Sequence, residues 1–98
     1  MNNKVCVVSG SSSGIGAATV ELFAANGWHV AINYSRHEEP AQQVAQACRA
    51  KGVEALVHRA DVSVDADCRS FAAAVEDRWG RCDALVNNAG TTRFVDAR

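Results

Sequence analysis

The stretch VVSGSSSGIG, residues 7–16, constrains this 98-residue chain most. Residues 4–9 form a short, β-prone apolar run that opens directly into glycines and serines. A helical pattern starts without delay after Gly16. A strand that turns through glycine into a helix has two chemical uses. Gly10-Ser11-Ser12-Ser13-Gly14 satisfies G-x-S-x-G, the strained elbow that presents a nucleophilic serine, here Ser12. Carried on to Ile15 and Gly16, the same letters describe a turn that seats phosphate at a helix N-terminus.

The rest of the pattern bears on the choice. Ile15, Thr19, Leu22 and Phe23 recur at helical spacing and Asn26-Gly27 supplies a stop, so a first helix with that inward stripe is expected. Residues 29–34 read as a second strand. Pro40 suits a first helical turn, and Ala41, Val44, Ala45 and Cys48 make an inward face that ends near Gly52. Residues 55–60 read as a third strand. Ser63 is the expected N-cap of a third helix carrying Cys68, Phe71, Ala72, Val75 and Trp79, and residues 83–87 form a fourth strand. Strands alternating with helices of this length predict an α/β domain, its parallel sheet covered on both faces and joined by right-handed crossovers.

Position then argues against the elbow. A hydrolase elbow follows an upstream oxyanion loop and precedes its acid and histidine. Here one strand precedes it, and His29, His37 and His58 have no acid evidently placed to orient them. Each residue type suits the phosphate seat. Gly10 permits a sharp exit from the strand. Gly14 and Gly16 remove side chains where backbone meets a pyrophosphate and where helix meets sheet. Ser11, Ser12 and Ser13 add hydroxyl donors, and the helix start contributes N–H groups with about half a positive charge. No Gly-Lys-Ser/Thr closes the loop, so it is not the ATP-type loop. The tip of the second strand reads Asn33-Tyr34-Ser35-Arg36, without the acid that binds an adenosine 2′-hydroxyl. Arg36, twenty residues past Gly16, suits a 2′-phosphate and favours NADP over NAD; a surface pairing with Glu38 or Glu39 is the alternative.

Composition excludes other classes. A net charge of −1 offers nothing to nucleic acid, and no apolar run approaches a membrane span. Cys6, Cys48, Cys68 and Cys82 are widely spaced, and no Cys or His pair has metal-ligand spacing. Cys48 and Cys68 fall on inward helix faces, so buried thiols and a reducing, cytoplasmic compartment are expected.

Taken together, SGSSSGIG (9–16), ADVS (60–63) and LVNNAG (85–90) closely resemble the short-chain dehydrogenase/reductase family, over almost the whole chain. The resemblance implies a Rossmann-type, doubly wound parallel sheet with strand order 3-2-1-4 that binds NADP or NAD. By it, residues 10–16 hold the pyrophosphate and adjoining ribose. Ser35 and Arg36 stand at the 2′-phosphate, and Asp61 and Val62 flank the adenine. Asn88, Ala89 and Gly90 line the pocket beneath the adenosine ribose, while Asn87 ties the central strands together. Asp61 could equally cap the approach to the next helix, and NNAG alone is a turn-like cluster.

The family's chemistry uses a serine, a Tyr-x-x-x-Lys and a helical asparagine beyond the fourth strand. Here the one tyrosine, Tyr34, is followed four positions later by Glu38, so no residue is assigned to catalysis. Residues 1–98 therefore read as the dinucleotide-binding portion of such a domain, ending before its catalytic half. The portion is expected to be inactive and poorly stable alone, since a parallel fourth strand wants a further neighbour. Complete, it would be a homo-oligomer that moves hydride between NADP(H) and a ketone or secondary alcohol. NNAGTTR resembles the 3-oxoacyl-(acyl-carrier-protein) reductase branch. The alternatives are a non-catalytic nucleotide-binding module and, remotely, a serine hydrolase using Ser12.

Overall fold

Every apolar run of the sequence becomes a strand, and every helical pattern a crossover between parallel strands. The computed structural model describes residues 3–11 and 14–88. The elements are β1 (Val5–Val8), α1 (Gly14–Ala25), β2 (His29–Tyr34), α2 (Glu38–Arg49), β3 (Ala55–Arg59), α3 (Asp65–Trp79) and β4 (Ala84–Val86). The strands pair in parallel in the order β3-β2-β1-β4. The second strand has the expected bounds and the other three lose a residue at one or both ends, yet the ladder outlasts the regular geometry. Ser9 N–H reaches Val86 C=O at 3.0 Å, Asp83 N–H reaches Val5 C=O at 2.8 Å, and Ala60 N–H reaches Tyr34 C=O at 2.8 Å.

The sheet carries helices on both faces, which explains why β1 reads as an unbroken apolar run: all four of its residues are buried. Cys6, Val8, Val30 and Ile32 face α1 and α2 through Val20, Ala24, Ala41, Val44, Ala45 and Cys48. Val5, Val7 and Ala31 face α3 through Phe71 and Val75. Phe71 is fully buried, so truncating it to alanine should cost about 3–5 kcal/mol. The chain winds outward from β1 to β3, then α3 carries it back across the sheet to β4 beside β1. The direction of winding thus reverses between β1 and β4, the switch point where open α/β sheets place their ligands.

The faces of α2 match the sequence pattern, and three other expectations are corrected. Of the stripe Ile15, Thr19, Leu22, Phe23, the last packs half-buried against the core, but the stripe as a whole does not line the sheet. Gly16, Val20 and Ala24 do, while Ile15 is 77% and Leu22 64% exposed. The phase of α1 is set by where Gly16 must lie, not by its largest side chains. A Cβ built on Gly16 would sit 2.1 Å from the Gly10 carbonyl oxygen. On α3, Cys68, Phe71 and Val75 are buried, but Ala72 is exposed. Ser63 is not the N-cap of α3 either. Val64 takes that place without a side-chain bond, because the Ser63 hydroxyl is held at 2.6 Å by Asp61 Oδ1.

Candidate functional site

The loop after β1 sits at the switch point and has the backbone its glycines allow. Gly10 and Gly14 take φ of 63° and 60°, a left-handed conformation that costs other residues about 1–2 kcal/mol. Gly14 differs from Gly16 in what surrounds it. A Cβ on Gly14 would meet nothing within 4 Å, so the loop leaves open space at the start of α1. Gly16 has no such room and lets the helix touch the loop. The helix start is also electrostatically clear. Glu38 and Glu39 stand in the first turn of α2, and Asp65 and Asp67 in that of α3, whereas α1 has no acid there. An anion placed before α1 therefore meets N–H groups and a positive helix end with no carboxylate competing for them.

A set of buried polar side chains holds this loop. Ser9 and Ser11 are fully buried, and Asn33 is 3% exposed. Ser11 Oγ accepts the Asn33 N–H at 3.0 Å, which makes this serine part of the loop's anchorage. Ser9 Oγ accepts the Asn88 N–H at 2.9 Å and lies 3.4 Å from Asn87 Oδ1. Asn88 Nδ2 donates to the Gly10 carbonyl at 3.3 Å. Asn87 and Asn88 thus join the end of β4 to the end of β1. Ser12 and Ser13, and likewise Ala89 and Gly90, lie outside the described residues.

The rim on the β2 and β3 side carries the other sequence candidates. Ser35 and Arg36 are exposed beyond the tip of β2. Among the described residues the ion pairs join Arg78 with Glu54 and Arg81 with Asp83, and neither engages Arg36. Glu38 instead accepts from Gln42 at 2.9 Å. Asp61 makes an Asx-type turn, accepting from Ser63 Oγ at 2.6 Å and from Ser63 N–H at 3.0 Å. Those two bonds, helped by the charges of Arg59 and Arg36, hold its carboxyl below the ordinary aspartate value. Asp61 therefore stays ionised, exposed and close to two guanidinium groups. Val62 is half-buried beside it, its carbonyl accepting a hydrogen bond from the Cys68 thiol at 3.3 Å.

Other reactive side chains are placed away from the loop. His29 lies at the start of β2, its Nδ1 3.0 Å from the Glu54 N–H and its ring stacked on Trp79 at 5.6 Å. His58 Nε2 is 3.1 Å from Ser70 Oγ on α3. Tyr34 packs against the core under α1 and α2. Cys6, Cys48 and Cys68 are buried. Burial pushes the Cys6 thiol up to about 12 and the Cys48 thiol up to about 11, so neither is a nucleophile at neutral pH. Among the described residues no group of three or more His, Cys, Asp or Glu side chains could hold a metal. No helix there is long and apolar enough to cross a membrane.

The residue that sequence reading passed over is Asn33. Its Oδ1 accepts the Gly10 N–H at 2.6 Å and its Nδ2 donates to the Ala60 carbonyl at 3.0 Å. The available signal was an amide inside the apolar strand HVAINY, where burial is tolerated only if both ends of the amide are paired.

The chain is similar to proteins of known family. The family model described as short chain dehydrogenase matches residues 4–98. The 3-oxoacyl-(acyl-carrier-protein) reductase of Staphylococcus epidermidis is 36% identical over 91 residues, covering 93% of this chain and 37% of that protein. The short-chain dehydrogenase/reductase homolog YusS of Bacillus subtilis is 37% identical over 93 residues, covering 95% of this chain and 85% of that protein. A metagenomic short-chain oxidoreductase solved in complex with NADP superposes with a TM-score of 0.83 at 38% identity, over 93% of this chain and 41% of that one. YusS apart, the chain spans little more than a third of the curated relatives it matches first, 35% and 38% of two others.

Proposed function

The chain belongs to the short-chain dehydrogenase family, and from that membership we propose that residues 1–98 are an NADP-preferring dinucleotide-binding unit of an oxidoreductase. The observation that carries the reading is the start of α1, with its left-handed glycines, open space at Gly14 and a first turn free of acid. The residues fit the pyrophosphate of a nicotinamide dinucleotide, and the cofactor's nicotinamide would supply the hydride. In this reading residues 10–16 hold the pyrophosphate, Ser35 and Arg36 the 2′-phosphate, Asp61 and Val62 the adenine, and Asn88 to Gly90 the adenosine ribose. The NADP complex of a similar protein supports the choice of cofactor. The protein of which this unit is part would act on a ketone or secondary alcohol. The similarity to a 3-oxoacyl reductase supports a 3-oxoacyl thioester as the substrate class. No residue of the 98 is assigned to catalysis. Buried thiols support a reducing, cytoplasmic setting, and the active form is proposed to be a homo-oligomer.

Titration of the purified protein with NADPH and NADH tests the reading. Arg36→Ala should weaken NADPH by about tenfold to a hundredfold, the worth of a charge-assisted phosphate contact, and leave NADH nearly unchanged. Equal losses would remove Arg36 from the 2′-phosphate. The serine hydrolase reading finds no support in the family match. A nucleotide-binding module without turnover is the second reading. NADPH binding without oxidation of NADPH by any 3-oxoacyl thioester or ketone would favour it.

A further inference from the structure

We propose that Asn33 is a positioning residue for the dinucleotide, locking the phosphate loop to the adenine side of the sheet through the two ends of one amide. The proposal rests on the cofactor reading above. Residue 33 is the fifth residue of β2, and a strand covered on both faces ordinarily places a β-branched apolar side chain there. An asparagine with 3% exposure must therefore satisfy its amide within the protein. It does so in a way that fixes its orientation. The Gly10 N–H can only donate, so the oxygen faces it at 2.6 Å; the Ala60 carbonyl can only accept, so the nitrogen faces it at 3.0 Å. The backbone N–H of Asn33 goes to Ser11 Oγ at 3.0 Å. One residue thereby touches Gly10 and Ser11 of the loop and the residue just before Asp61.

Two consequences follow for a bound dinucleotide. First, the Gly10 N–H is committed to Asn33, so contacts to phosphate fall to N–H groups later in the loop and to the first turn of α1. Second, the distance between the phosphate seat after β1 and the adenine edge after β3 is set by the length of a single planar side chain. Gly10 is held from the opposite side as well, by Asn88 Nδ2 on its carbonyl at 3.3 Å. Its peptide groups are thus clamped from β2 and from β4, and the start of the loop, Gly10 and Ser11, is presented already shaped. A preformed seat loses less freedom on binding than one that must be ordered by its ligand. Substituting Asn33 should therefore act on cofactor affinity beyond its effect on stability.

The test compares Asn33→Ala with Val20→Ala, a substitution in the core of α1 that loses packing and leaves the loop ties in place. Unfolding midpoints and NADPH dissociation constants are measured for both, the latter by calorimetry at a temperature where each variant is folded. Asn33→Ala should raise the NADPH dissociation constant by about tenfold, and Val20→Ala by less than about twofold. Equal changes in the two variants, or unchanged binding in Asn33→Ala, overturn the proposal. Should Asn33→Ala fail to fold, Asn33→Ser gives the same comparison, because its short hydroxyl cannot span Gly10 and Ala60 together. Wild-type protein that binds neither NADPH nor NADH overturns the cofactor reading and this proposal together. Wild-type binding with an unaltered Asn33 variant overturns this proposal alone.

Discussion

Gly14 and Gly16 look equivalent in the sequence, and the structure separates them by an effect large enough to measure. At Gly16 an added methyl would lie 2.1 Å from the Gly10 carbonyl oxygen and 2.8 Å from Asn88 Nδ2. An ordinary carbon–oxygen contact is about 3.5 Å, so α1 or the loop must shift by roughly 1 Å or more. Neither side yields easily. Gly10 is pinned by Asn33 and Asn88, and α1 is seated by Val20 and Ala24, both fully or almost fully buried. Losing the Asn88 bond costs about 1 kcal/mol, and opening the helix–sheet contact costs about 1–3 kcal/mol more. Gly16→Ala should therefore destabilise by about 3 kcal/mol. At Gly14 the methyl enters open space, and the cost is the left-handed φ, about 1–2 kcal/mol, partly offset by a stiffer unfolded chain at about 0.4–1 kcal/mol. Gly14→Ala should thus lose about 1 kcal/mol, while its methyl should intrude on the proposed phosphate seat and weaken NADPH. Urea unfolding followed by the fluorescence of Trp28 and Trp79 measures both. Gly16→Ala within about 1 kcal/mol of wild type, or milder than Gly14→Ala, would refute the claim that helix contact fixes the phase of α1.

Asp83 carries a pH-dependent share of stability. Its carboxylate is held below the ordinary value first by the Arg81 hydrogen bond and then by the Val5 N–H, so the contribution is present above the ordinary aspartate pKa and lost as pH falls through the lowered one. Asp83→Asn should be less stable than wild type at neutral pH, with the difference closing below about pH 4 in urea midpoints. The thiols should divide by exposure. At pH 8 a thiol reagent should modify Cys82 first, and Cys6, Cys48 and Cys68 should react only at the rate of unfolding, as peptide mapping over time would show. Early labelling of Cys6 would contradict the packing of β1.

Element order and sheet order were legible because both rest on local signals. Residues 5–8 and 29–34 are too apolar for a strand with a wet face, and glycines punctuate the ends of the helices. Right-handed crossovers leave few ways to stack such a series. The face of α2 was legible for the same reason, its four inward apolar residues standing out against glutamates and glutamines. The face of α1 was not. Its sequence, GIGAATVELFAA, has one charged residue, so apolar side chains mark no side, and the deciding contact is a glycine with no side chain to count. The N-cap of α3 misled for a different reason, since the Ser63 hydroxyl is bonded back to Asp61 and Val64 takes the cap position. Asn33 escaped notice because its meaning lies in Gly10 and Ala60, twenty-three residues before it and twenty-seven after it.

The features that hid the phase of α1 also suit that helix to an anion. A helix that buries Gly16, Val20 and Ala24 can lie closer to the sheet than one burying leucine and phenylalanine, and close approach brings its first turn to the switch point beside β1 and β4. Large residues on the inward face would lift the helix end away from the loop, and acids in the first turn would repel the ligand they should receive. The exposed positions of Ile15 and Leu22 follow from the same arrangement: once the small residues face inward, the large ones have nowhere else to go. A pattern that looks poorly amphipathic is therefore what a helix shaped by a backbone contact at its start should show. Across related chains, the size of the residue at the position of Gly16 should predict which face of this helix is buried better than its hydrophobic periodicity does.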